Sequence, residues 1–179
     1  MAALDKTPSN KNFLNPLNFK FQIQRAPNVN FFIQKINIPS ITLPEIEVPT
    51  PFVNIPVPQT NMVFGMLDIT FKVDEDLQNY LEIHNWIRSL GTPYSLGLEP
   101  KYPNLSYRET TSESQNVGSE ITLTILDALK HPTYQFVFHR AFPISLSEIV
   151  FDTTDDDVNY VSASASFKYI LFDVDSVST

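Results

Sequence analysis

The chain has 179 residues, 42% of them hydrophobic, and a formal net charge of −8. That fits one domain with a real core and excludes disorder of the bulk. With no Cys, disulfides and thiolate metal sites are excluded, and a reducing compartment is compatible.

The negative charge disfavours direct gripping of nucleic-acid phosphates. It fits a soluble surface, or a lumen along which a polyanion slides. Only four Gly against 14 Pro speak against phosphate-cradling loops and flexible linkers. Residues 1–15 read as a loose polar arm, without the apolar run of a secretory signal, and residues 16–179 as a single domain. No stretch approaches the ~20 apolar residues that would span a bilayer.

From Asn18 the pattern alternates, with Phe19, Phe21 and Ile23 against Lys20, Gln22 and Gln24, a half-buried strand. Ala26-Pro27-Asn28 is turn-like, and Phe31 to Ile38 is a second apolar run, so the two predict a hairpin. Residues 39–58 hold six Pro between Ile41, Leu43, Ile46, Val48, Phe52, Val53, Ile55 and Val57. Pro keeps its predecessor out of the helical region, so this ribbon is extended. It is either an edge strand with a surface loop or an arm that reaches the next subunit.

Val63 to Val73 alternates again. The period then switches: Asp74 is a candidate N-cap, and Glu75 and Asp76 suit the positive end of a helix. Leu77, Tyr80, Leu81, His84 and Ile87 follow at three-and-four spacing, widened by Ile83, Trp86 and Leu90. Gly91 and Pro93 stop the helix. The packing stripe is predicted at Leu77, Leu81, Trp86 and Ile87. Residues 92–118 read as a long functional loop.

Strands follow at Ile121–Ile125, at Tyr134–Phe138 and at 143–151, the last broken near Ser147 and Glu148 as by a bulge. The final strand sets Val161, Ala163, Ala165, Phe167, Tyr169 and Leu171 against Ser162, Ser164, Ser166 and Lys168. A small polar face of that length suits a lumen or a subunit boundary.

No chemistry stands out. His84, His131 and His139 lack metal-binding spacing, and no nucleophile elbow occurs. Asp152, Asp155, Asp156 and Asp157 lack the Gly and distal Glu of an EF-hand. They read as a solvated acidic turn that also discourages edge pairing. No catalytic, cofactor or metal residue is assigned, and no cofactor is expected.

Three segments carry a resemblance. FKVDEDLQNYLEIHNWI is similar to the strand-to-helix signature of the tail tube terminators of contractile-tailed phages, also called tail completion and sheath stabiliser proteins. SLSEIVFDTTDDDVNYVSASASFKYILFDVD resembles that family's C-terminal hairpin, and INIPSITLPE its first Pro-bounded strand exit. The resemblance covers residues 18–174; the stretch at 49–58 departs from it.

It implies a mainly β (α+β) tail-tube-like sandwich or partly open barrel, with one helix packed on the sheet. It also implies a hexameric ring that caps the tail tube and stabilises the tube–sheath junction. Its partners would be further copies of itself, the tube protein, and sheath and neck proteins. Genomic DNA would pass through the lumen without specific binding, and no membrane is involved. The place would be the virion tail, assembled in the host cytoplasm. The alternatives are a major tube protein or baseplate initiator of the same fold. More distant is a sugar-binding β-sandwich using Trp86, Tyr94, Tyr102 and Tyr107.

Overall fold

The computed structural model describes residues 12–91, 118–151 and 160–177. The loop expected at 92–118 lies, except for Gly118, outside the described residues, as do the acidic turn Asp152–Asp157 and most of the N-terminal arm.

Strand β1 (Phe19–Ile23) alternates as its sequence does, with Phe21 and Ile23 buried. It makes no hairpin with the apolar run that follows. Pro27 opens a short helix, α1 (Pro27–Phe32), at the position where a missing N–H is harmless. Asn30 on this helix takes the place of a strand partner. Its Oδ1 accepts from the Ile23 N–H at 2.8 Å, and its Nδ2 donates to the Ile23 carbonyl at 3.2 Å. The chain then continues as β2 (Ile33–Ile36), which pairs antiparallel with β7 (Leu67–Lys72).

The Pro-rich ribbon becomes β3 (Ile41–Thr42), β4 (Glu45–Pro49), β5 (Asn54–Pro58) and β6 (Val63–Phe64). Strands β3 and β6 pair at the root, and β4 and β5 form a separate two-stranded sheet. Backbone approach fixes the root: the Gly65 N–H donates to the Ser40 carbonyl at 2.8 Å, and a Cβ on Gly65 would lie 3.1 Å from the Ser40 backbone nitrogen.

Helix α2 (Gln78–Leu90) starts later than Asp74. Its N-cap is Leu77, held in the left-handed region at φ 57°, and Asp74–Asp76 form a turn ahead of it. The reason is Asn79, a fully buried polar residue. Its Nδ2 donates to the Lys72 carbonyl at 2.8 Å, and its own N–H reaches Asp74 Oδ1 at 3.4 Å, so the strand end is sewn to the helix start. The buried line is therefore Asn79, Ile83 and Trp86, with Ile87 partly buried beside it. Leu77 (37% exposed) and Leu81 (40% exposed) lie off that line, against the predicted stripe.

Strand β8 (Ser119–Leu126) leads into β9 (Pro132–Leu146), so the strand expected at 134–138 and the start of that expected at 143–151 are one long strand, and residues 147–151 lie outside it. Strands β10 (Ser162–Lys168) and β11 (Leu171–Ser176) replace the single final strand. Both lie on one edge of β9: β11 pairs with Tyr134–His139, and β10 with Phe142–Leu146. Between the two blocks Arg140 takes φ 51°. There Gly118 meets β9 so closely that a Cβ would stand 2.4 Å from the Arg140 carbonyl carbon. The register slip opposite Ser166/Phe167 leaves Ile144 of β9 unpaired, so the irregularity falls within the segment 143–151, three residues before Ser147.

The sheet order is β1-β8-β9-β10-β7-β2, with β11 beside β9, and the sheet does not close. One core joins Phe21, Ile23, Ile121, Leu123 and Phe138 to Leu67, Ile69, Phe71, Ala163, Ala165 and Phe167, with Ile83 and Trp86 from the helix.

The β8–β9 turn hangs on Asp127. Its Oδ1 accepts from the Leu129 and His131 N–H groups, both at 2.8 Å. These bonds, led by that from His131, hold its carboxyl below the usual range. A depressed carboxylate pKa stabilises the fold above the unfolded value, and that contribution is lost as pH falls through the folded value. Asp127→Ala should therefore lower Tm at pH 7 more than Asp127→Asn, which keeps an acceptor. The gap between wild type and Asp127→Ala should shrink in melts below about pH 4.

Candidate assembly interfaces

Three surfaces are candidates for contact. The first is the outward face of the half-sheet β1-β8-β9-β11. Cross-strand register sets one row as Lys20–Thr124–Gln135–Asp175, and the next as Gln22–Thr122–Val137–Asp173. Residues in one row share a face and touch. The face is thus polar and mildly acidic. His139 lies on it between Glu120 Oε1 (3.7 Å) and Asp173 Oδ2 (3.1 Å), linking β8, β9 and β11. On the inner side the corresponding row is Phe21–Leu123–Phe136–Val174.

The two ends of each row are strand edges. In the sheet order β1 pairs only with β8, and β11 only with β9. β11 therefore presents one open edge, and β1 one along Phe19–Phe21, since Asn30 already occupies it at Ile23; each is a template for another strand. Because every pairing in this half-sheet is antiparallel, β1 and β11 run in opposite directions. A second copy placed beside the first would continue the antiparallel order. Lys20 stands at one edge and Asp175 at the other, in the same row. Composition alone could not have shown this, since the register that aligns them is tertiary.

The second surface is the Ser face of β10. Ser162 and Ser164 are exposed beside Lys168, as the alternation predicts, and Ser166 is half-buried. They face β7: Ser166 Oγ donates to Asp68 Oδ1 at 2.6 Å, and Ser164 Oγ lies 3.3 Å from Thr70 Oγ1.

The third is the β4–β5 arm. All ten strand residues are exposed. The register places Ile46 opposite Val57 and Val48 opposite Ile55 on one face, with Glu45, Glu47, Pro56 and Pro58 on the other. Phe52 at the tip is 97% exposed. A lone two-stranded hairpin is marginal in water, so its apolar face calls for a partner.

Among the described residues no cluster of His, Cys, Asp or Glu could hold a metal. No helix among them is long and apolar enough to cross a membrane.

The fold is a mainly β, open-edged antiparallel sheet with two helices, α1 and α2, and a separate two-stranded arm. The chain belongs to the phage tail tube protein family, whose profile matches residues 6–175. It is a structural tail component and not an enzyme.

Among curated relatives it is similar to the tail tube terminator protein of Enterobacteria phage T4, at 27% identity over 174 residues. That match covers 92% of this chain and 90% of the relative. In fold it is similar to the tube-terminating cap of the anti-feeding prophage (TM-score 0.63, 11% identity, 99% of this chain and 100% of that one). It is also similar to a chain of the sheath/tube terminator of the PVC extracellular contractile injection system in its extended state. There the TM-score is 0.62 and the identity 13%, covering 93% of this chain and 99% of that one.

Proposed function

We propose that this chain is a tail tube terminator that closes into a ring of six subunits on the last ring of a contractile tail tube. The observation that carries the ring is the pair of matched open edges, β1 and β11, at the two ends of one antiparallel half-sheet. Joining β11 of one copy to β1 of the next continues the sheet. It brings Asp175 toward Lys20 of the neighbour on the polar face and Val174 toward Phe21 on the core face. Such an interface is heterologous and closes by rotation.

The continuous polar face then lines the lumen. Thr and Gln with surplus acid let DNA pass without gripping it. The Ser face of β10, on the other half-sheet, is left as a flat seat for the sheath, and the arm reaches toward the tube. The terminator position rests on the likeness to the T4 protein, and sheath stabilisation only on the family resemblance of the sequence.

Light scattering with negative-stain imaging tests the ring. The expected result is a discrete assembly of about six copies. Lys20→Glu and Asp175→Lys should each weaken it, because like charges then face each other across the seam, and the double reversal should restore it. A protein that stays monomeric at high concentration in wild-type form and in all three variants would refute the edge pairing.

A further inference from the structure

Resting on the ring reading above, the length and register of the seam follow from the backbone. Successive residues of an antiparallel strand turn their N–H and C=O groups to opposite sides. At β1 the Leu126 N–H donates to the Asn18 carbonyl at 3.0 Å, so the even-numbered residues bond β8. Phe19, Phe21 and Ile23 then turn theirs to the open edge. Ile23 is already taken there, because Asn30 bonds both its N–H and its carbonyl. Below Phe19 the chain folds away, and the Leu17 N–H is held by Asn15 Oδ1 at 3.0 Å. The edge is thus a slot closed at both ends, with Phe19 and Phe21 open in it.

The other edge is read in the same way. The Val177 N–H donates to the Thr133 carbonyl at 3.0 Å, so the odd-numbered residues of β11 bond β9. Phe172, Val174 and Ser176 turn outward. The Phe172 ring already packs among Phe64, Phe136, Phe138 and Tyr169, with centroids 5.4–6.1 Å away. Val174 is 50% exposed although it lies in the inner row, and Ser176 is exposed. Beside the slot, between β1 and α1, runs a groove of about 650 Å³ whose lining includes Leu17, Phe19, Phe21, Pro27, Phe31 and Ile33. Leu17 is 82% exposed and Phe31 85%, an apolar patch of the kind that marks a contact.

We propose that the slot takes two residues of a second copy, Val174 opposite Phe21 and Ser176 opposite Phe19, and that the incoming Val174 enters the groove against Leu17 and Phe31. A slip by one residue would turn every incoming side chain to the wrong face. A slip by two keeps the faces but sets Asp173 on Lys20 and Phe172 on Phe21. Asp173 is already held by His139 at 3.1 Å, and Phe172 by its aromatic neighbours. Asp175 has no ion pair among the described residues, so it is the acid left for Lys20. Asn15 and Asn30 are therefore the stops that bound the seam, and charge and packing choose the register within it.

The sequence has no Cys, so introduced pairs report the register directly. Lys20 and Asp175 of neighbouring copies would form a non-hydrogen-bonded pair with Cα atoms about 4.5 Å apart, within disulfide reach. Within one copy they stand three strand spacings apart, about 14 Å, too far to bridge. Full-length Lys20→Cys/Asp175→Cys is oxidised and run unreduced beside Lys20→Cys/Asp173→Cys. The first should give a ladder of multimers, with at least about tenfold more cross-linked product than the second. Leu17→Ser/Phe31→Ser tests the groove by light scattering. It should raise the concentration of half-assembly by about tenfold or more, with Tm within a few degrees of wild type, since both side chains are exposed in the free chain.

Equal yields from the two cysteine pairs, or more from position 173, would overturn the register. A Ser variant that assembles as wild type does would overturn the groove contact. Either result leaves the pairing of β1 with β11 standing. Rings that form with neither cross-link would overturn that pairing, and the seam with it.

Discussion

Trp86→Ala should lower the stability of the fold by about 3–5 kcal/mol, a loss comparable to the whole stability of many domains. Trp86 is 1% exposed and is the largest side chain in the core. Its ring meets Phe167 with centroids 5.9 Å apart, and the Arg25 guanidinium lies 5.3 Å over its face. Helix and sheet are thus held by one side chain at the centre of the contact. Its Nε1 has no hydrogen-bond partner among the described residues. Trp86→Phe therefore forfeits packing volume but no bond, and should cost clearly less than the Ala variant. Urea titration followed by circular dichroism separates the two, since the chain's single Trp is itself the residue removed. A loss below about 1 kcal/mol for Trp86→Ala would mean that α2 is held elsewhere.

The same residue marks how far the sequence could be read. The helix, its Gly91 stop and the burial of Trp86 follow from period and capping. The true stripe did not, because its first member is Asn79, a polar residue that pattern reasoning assigns to solvent. Only the tertiary bond to the Lys72 carbonyl explains why it is inside, and that bond also delays the helix start and turns Leu77 outward.

The strands were legible wherever alternation was strict, as in Phe19–Ile23 and Ser162–Lys168. Their partners were not. Sequence neighbours Phe19–Ile23 and Ile33–Ile36 suggest a hairpin, yet they pair with β8 and β7, each far along the chain. A local rule cannot see that Asn30 occupies the edge of Ile23. The assembly face was hidden for a related reason. The polar β10 face stood out by its serines, whereas Lys20 and Asp175 align only through four strands of register. The Pro ribbon was correctly seen as extended. Whether it lay along an edge or projected was undecidable from residues, because Pro excludes a helix equally in both.

Replacing Ile46, Val48, Ile55 and Val57 together by Ser should leave Tm of the isolated protein within a few degrees of wild type, while abolishing its ability to halt tube growth. Each of the four is between 43% and 52% exposed, and none belongs to the hydrophobic core or packs against it, so the substitution leaves the core that sets Tm intact. Docked, the same face would go from half-exposed to buried. At about 25 cal/mol per Å² of apolar surface removed from water, each side chain would contribute roughly 1 kcal/mol, repeated in every subunit of a ring. The stability term is thus small and the assembly term large, opposite to the balance at Trp86. Tube lengths measured by electron microscopy, with purified tube protein and added variant, give the readout. Tubes as short as those capped by wild type would show that the arm's apolar face takes no part in capping. Uncapped growth with an unchanged melting curve would show that this face, exposed in the free chain, is the part of the protein that the tube end recognises.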